Sequence, residues 1–192
     1  VHITGTMSVS APTVQRILDV NAEWIITPDG AIRVKMNVKR DMEFPMLPRF
    51  GIRLFLNKEF DNAEYYGIGP DESYVDKKRS GHHGRVLHNH VYNLRPQENG
   101  SHTDCDYLIL KGMDLTFAAA GEKTFSFNAS PYTQEELTTK KHSYELQPCG
   151  STVVCLDYAQ NGIGSNSCGP ELSEQYRLDA EEFDFEIKMM IK

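Results

Sequence analysis

No apolar run in this chain of 192 residues approaches the roughly 20 that a helix needs to cross a bilayer, which excludes a helical membrane span. Basic residues are in short supply: 20 Lys and Arg stand against 27 Asp and Glu, a net charge of −7. A nucleic-acid surface needs clustered cations to neutralise phosphates, so no nucleic-acid partner is expected. Cysteine is sparse. Cys105, Cys149, Cys155 and Cys168 are too few for a disulfide scaffold and form no CxxC pair, which argues against a structural zinc site. Cys149 and Cys155 are near enough in sequence to close a small loop, but reduced thiols are the expectation. There is no Gly-x-Ser-x-Gly nucleophile elbow. The opening VHITGTMSVS has no basic segment followed by an apolar one, so it is not a secretory signal. It also has no initiator Met, and a piece of a longer soluble protein is expected, with cytoplasm and periplasm both open.

Helical periodicity is nearly missing as well, and two-residue alternation takes its place. In AIRVKMNVK, Ile32, Val34, Met36 and Val38 share one face, and Arg33, Lys35, Asn37 and Lys39 the other. Successive side chains of a strand point to opposite faces, so this is a strand with one buried side. EFDFEIKMMI repeats the pattern with Phe183, Phe185, Ile187, Met189 and Ile191 inward. Pro28, Asp29 and Gly30 are turn chemistry that joins AEWIIT to the first of these strands. Further strands are expected in TVQRILDV, FGIRLFL, AEYYGIG, DYLILK, DLTFAAA, KTFSFNAS, STVVCLDY and EQYRL. One short helix is expected in TQEELTTKK, with Thr133 as its N-cap and Glu136 closing a capping box. About ten strands with almost no helix imply an all-β antiparallel sandwich. Residues 70–100 read as a long irregular stretch, of the kind that is functional or contacts another surface.

Several stretches have residues that could carry chemistry. GHHGRVLHNH holds four histidines, which are good zinc, copper or nickel ligands, but no acid or thiol stands beside them at a ligand spacing, so a polar loop is expected. GIGPDESYVDKKRSG has a Gly-x-Gly that no helix follows, so it reads as a structural turn. Asn99-Gly-Ser101 and Asn128-Ala-Ser130 match the glycosylation sequon without supporting secretory evidence. Asp71 with Glu72, Glu135 with Glu136 and Glu181 with Glu182 are acid pairs. Spacing alone selects none of them for a two-carboxylate glycosidase mechanism, and no catalytic residue is assigned. NGIGSNSCGP, residues 161–170, is unusually long for a hairpin connection. Its glycines allow close backbone approach to a ligand, and Asn161, Ser165, Asn166 and Ser167 suit sugar hydroxyls.

Six runs now become identifiable in order: LPRFGIRLFL, YYGIGPDESYVDKK, YNLRPQENGSHTDCDYL, FSFNASPYTQEELTTKKHSYEL, LDYAQNGIGSNSCGP and YRLDAEEFDFEIKM. Together they resemble the C-terminal, small-chain domain of the large β-galactosidases of glycoside hydrolase family 2. The resemblance covers residues 12–192. It implies a galactose-mutarotase-like β-supersandwich, here as a single domain over residues 1–192 whose first strands lie in preceding chain. It also implies a retaining parent enzyme that cleaves terminal β-D-galactose, with both catalytic glutamates on a separate (β/α)₈ barrel. The implied partners are that barrel, the galactoside substrate and further copies of the enzyme. Magnesium and sodium would sit on other domains, so no metal or cofactor is expected on this chain. The loop equivalent to residues 161–170 reaches the mouth of the barrel in many family members, where a tryptophan stacks on the far sugar. Cys168 stands at that position and offers much less area. The substrate-binding set is therefore Asn161, Ser165, Asn166, Ser167 and Cys168. An autonomous carbohydrate-binding sandwich is the alternative, with Tyr65, Tyr66, Tyr74, Tyr92 and Tyr107 as its candidate aromatics. A mutarotase ranks last, because its His and Glu motifs are not in place.

Overall fold

The computed structural model describes residues 1–13, 15–88, 94, 95, 99–164 and 169–192. Its strands are β1 (His2–Ser10), β2 (Arg16–Ile26), β3 (Ala31–Arg40), β4 (Arg49–Asn57), β5 (Asn62–Gly69), β6 (His82–His88), β7 (His102–Lys111), β8 (Thr116–Ser130), β9 (Ser151–Gln160) and β10 (Glu182–Ile191), with one helix, α1 (Gln134–Thr139). Every pairing is antiparallel, and the main order is β1-β2-β3-β10-β8-β7-β5-β6. The all-β antiparallel class with one short helix is the expected one. No helix of the described residues is long and apolar enough to cross a membrane.

The alternating strands bury the faces their patterns select. In β3, Val34 and Val38 are fully buried, and in β10 so is Ile187; the register sets Phe183 opposite Val38 and Ile187 opposite Val34. Ile191 departs from the pattern and is exposed, because it ends the strand beyond the cover of the core. The β2–β3 turn closes through Gly30 N–H to the Thr27 carbonyl at 3.0 Å, with Gly30 at φ +83°, a conformation that glycine adopts without a Cβ penalty.

The second layer grows out of β8. Residues 117–121 of this strand pair with β10, whereas residues 126–130 pair with β9, which in turn carries β4. Between these halves the β7 register jumps: Cys105 faces Phe125 but Tyr107 faces Ala120. A Cβ on Gly121 would collide with the carbonyl oxygen of Lys123, so the bend needs a glycine. The turn carries β9 and β4 over β10. There Tyr158 stacks on Phe183 at 4.4 Å and Phe50 meets the same ring edge-on at 5.2 Å.

Several sequence expectations need correction. TVQRILDV and AEWIIT form one strand, β2, and DLTFAAA and KTFSFNAS fuse into β8. EQYRL is not a strand. Glu174–Tyr176 is a single 3₁₀ turn, closed by Tyr176 N–H to Ser173 O and Arg177 N–H to Glu174 O, and only Leu178 bridges to Leu47. β6 lies inside the stretch read as irregular. It is an edge strand with one neighbour and needs little apolar patterning: Val86 alone is buried among its described side chains. The opening residues form β1. Thr133 caps α1, its hydroxyl accepting from Glu136 N–H at 3.1 Å. The capping box is only half made, because the Glu136 carboxylate turns to Gln147 N–H at 2.8 Å.

The edge strand β6 is pinned by charge. Arg85 donates two 2.9 Å hydrogen bonds to the carboxylate of Glu64 on β5, and Lys111 on β7 approaches from the other side. The paired Arg85 hydrogen bonds, outweighing burial and aided by Lys111, hold the Glu64 carboxyl at about 2. Its stabilisation is therefore complete above the ordinary carboxylate range, near pH ~4.3, and is lost as pH falls toward its folded value. Glu64→Gln is expected to lower the melting temperature at pH 7, with the gap to the parent chain closing between about pH 4.5 and 2. Thermal melts across that range check this, and a constant gap would refute it. A second prediction concerns the corner: Gly121→Ala costs about 1–3 kcal/mol in denaturant unfolding. Gly5→Ala, whose added Cβ meets nothing, stays within ~0.5 kcal/mol.

Candidate functional site

β9 ends at Gln160, and the glycine-rich segment begins there. An ion pair between Arg49 and the buried Asp157 fastens the end of the β4–β9 ladder just before it. Asn161 N–H donates to Pro48 O at 3.0 Å, and its side-chain oxygen accepts from Leu178 N–H at 2.5 Å. Gly162 N–H donates to Tyr176 O at 3.0 Å. The next two amides converge on one carboxylate: Ile163 N–H reaches Asp76 Oδ1 at 3.0 Å and Gly164 N–H reaches Oδ2 at 2.8 Å. The approach is so close that a Cβ on Gly162 would lie 2.5 Å from Asp76 Cγ, and one on Gly164 3.1 Å from Oδ2. Gly162 is needed because the backbone rests on the acid, and at Gly164 a Cβ would make the acid yield by a few tenths of an ångström.

Asp76 is itself held by a knot of short-range contacts. Tyr74 and Lys77 exchange backbone hydrogen bonds of 3.0 and 2.9 Å around it. Glu72 accepts from the buried Tyr74 hydroxyl at 3.2 Å, from Lys77 Nζ at 3.2 Å and from Gly100 N–H at 3.0 Å. Burial pushes the Glu72 carboxyl up, but the Gly100 amide and Lys77 outweigh it and leave it below its ordinary value. Ser73 N–H donates to Ser101 O at 2.7 Å, and Asn128 Nδ2 donates to Asn99 O at 3.0 Å. The runs GIGPDESYVD, NGS and NGIG, far apart in sequence, are thus one structure. A cavity of about 610 Å³ lies beside it, where β10 and β8 part. Phe125, Tyr158, Gln160 and Tyr176 line it together with the acids Glu122 and Asp184.

Of the sugar-site candidates, Asn161 sits at the base of the segment with its side-chain oxygen committed to the backbone. Ser165, Asn166, Ser167 and Cys168 lie outside the described residues. The acid pairs are largely engaged elsewhere: Glu135 with Arg53 at 2.8 Å and Glu182 with Asn37 at 3.0 Å. Tyr65 and Tyr74 are core residues, Tyr66 and Tyr107 lean on each other at 6.2 Å, and Tyr92 lies outside the described residues. His83 on β6 contacts Asp104 O at 2.9 Å and Asp106 at 3.2 Å. Among the described residues no group of three or more His, Cys, Asp and Glu is placed to hold a metal ion. Cys149 is exposed and Cys155 buried, and no disulfide joins them. Sequence reasoning missed Asp76: it stands in the quoted run YYGIGPDESYVDKK, but nothing local marks it as the partner of a segment 87 positions away.

Comparison with known proteins now adds to this geometry. Residues 1–189 match the family model described as beta galactosidase small chain. The chain is 50% identical over 172 residues to a β-galactosidase of Actinobacillus pleuropneumoniae, covering 88% of this chain and 17% of that protein. It is 40% identical over 173 residues to one of Staphylococcus xylosus, covering 87% and 17%. For one of Kluyveromyces lactis the figures are 35% over 170 residues, covering 82% and 16%. A solved Escherichia coli K12 structure assigned as an aldose 1-epimerase aligns with TM-score 0.43 and 8% identity, over 100% of this chain and 65% of that one. The chain spans 17% of the length of the first two relatives. With its signature runs gathered in one knot and the family match running over nearly its whole length, the chain belongs to the β-galactosidase small-chain family.

Proposed function

We propose that the parent enzyme hydrolyses terminal β-D-galactose residues. In it this domain supports a catalytic barrel and lends residues 161–170 to the rim of the sugar pocket. The observation that carries this reading is the anchored base of that segment: four consecutive residues are fixed by hydrogen bonds before the polar residues begin. A segment pinned at its root loses less entropy when it orders against a ligand. Ser165, Asn166, Ser167 and Cys168 are its proposed sugar-facing residues, and Asn161, whose side-chain oxygen accepts from Leu178 N–H, holds the base from which they extend. Catalysis is assigned to other parts of the parent, in line with the engaged acids described above.

The same reading places further strands of this domain in preceding chain. Support comes from β1, where Ile3, Met7 and Val9 pair with Trp24, Val20 and Leu18 and so share their inward face, yet remain exposed. Leu18 and Val20 on the neighbouring strand are buried. An apolar stripe on an edge strand is an expected seat for another element.

Two measurements test the reading. The isolated chain, free of contaminating enzyme, is expected to leave a chromogenic β-galactoside intact, and turnover would overturn the assignment of catalysis elsewhere. In the full-length enzyme, Cys168→Trp adds a stacking face worth on the order of 1–2 kcal/mol, roughly 5- to 30-fold in KM for substrates with a sugar aglycone. The first chemical step should change much less. Identical kinetics across several aglycones would remove residues 161–170 from the rim.

A further inference from the structure

We propose that Asp76 is a positioning residue that sets the path of the chain as it leaves Gly164 and, through it, aglycone binding. This rests on the reading of residues 161–170 as the rim of the sugar pocket. Asn161 and Gly162 are tied to Pro48, Tyr176 and Leu178 through backbone groups that the fold supplies in any case. Ile163 and Gly164 have a different support. Their amides meet the two oxygens of the Asp76 carboxylate, and among the described residues that carboxylate has no other partner. A carboxylate is planar, so accepting from two successive amides fixes the orientation of both peptide units at once. The bonds are charge-assisted and stronger than neutral ones.

Asp76 can serve in this way because it is not free to move. The Tyr74 and Lys77 backbone pair encloses it, and Glu72 ties that pair to Gly100. The close packing also works in reverse: any side chain at position 162 would displace the acid, since its Cβ would fall 2.5 Å from Asp76 Cγ. Asp76→Ala removes the acceptors. Asp76→Asn keeps the shape and one acceptor but turns an NH₂ group toward one of the two amides. Gly162→Ala moves the acid without changing its charge.

The test uses full-length enzyme carrying each substitution, read by amide hydrogen exchange and by steady-state kinetics. Asp76→Ala and Gly162→Ala are expected to speed exchange at Ile163 and Gly164 by roughly tenfold or more, with peptides from β3 and β10 unchanged. Asp76→Asn should fall between them and the parent enzyme. KM for a disaccharide substrate should rise roughly fivefold or more, while kcat for an activated aryl galactoside holds within about twofold. Unchanged exchange at Ile163 and Gly164 in all three variants overturns the proposal. Faster exchange with unchanged KM overturns it too, and Cys168→Trp then separates the causes. If that variant alters KM, the rim reading stands and Asp76 does not govern it; if it does not, the rim reading falls as well.

Discussion

One strand has to belong to two layers at once. β8 pairs with β10 in its first half and with β9 in its second, and the bend between them exists because Gly121 has no side chain to strike the Lys123 carbonyl. From that bend follows the position of β9 over β10, with Tyr158 stacked on Phe183. From the position of β9 follows the place where the chain emerges at residue 161. The cavity at the parting of β8 and β10 is the other product of the same bend. A sheet that stayed flat through residue 121 would leave β10 paired further along and close that space.

The emerging segment is held by a different kind of force. Apolar burial is non-directional and fixes layers, not the orientation of individual peptide units. Two carboxylates supply the direction here. Glu72 gathers Gly100 N–H, Lys77 and Tyr74, and Asp76 gathers Ile163 and Gly164 N–H. Backbone amides that would otherwise need water find charged acceptors, and Gly162 stands where one of those acceptors comes too close for a Cβ.

Much of the sheet was legible from periodicity. The faces of β3 and β10, the Pro28–Gly30 turn chemistry and the Thr133 cap depend on neighbours in sequence, which a reader of the chain can see. β6 was less legible because it is an edge strand, with a partner on one side only and little need of a clean apolar face, whereas β1 does alternate, with Ile3, Met7 and Val9 on one face, and was passed over because polar and small residues surround them. EQYRL fails for another reason: its alternation is real, but local hydrogen bonds to Ser173 and Glu174 win over ladder pairing. At the site, the composition of residues 161–170 marked a segment rich in glycine and small polar residues. It could not point to Asp76, since a contact across 87 residues leaves no trace in local spacing. The resemblance grouped these runs by family, and the knot shows the contacts that join them in this chain.

Both sequons meet inside that knot. Asn99 and Asn128 are buried, and the Asn128 amide donates to the Asn99 carbonyl. An oligosaccharyltransferase acts on an asparagine it can reach, and neither is reachable once the domain has closed. A host that sends this chain through a glycosylating compartment would have to modify it before folding. A glycan fixed at either position would then stand where the Glu72 and Gly100 contact has to form. Production of the domain therefore favours a cytosolic bacterial host, or Ser101→Ala and Ser130→Ala when secretion is wanted.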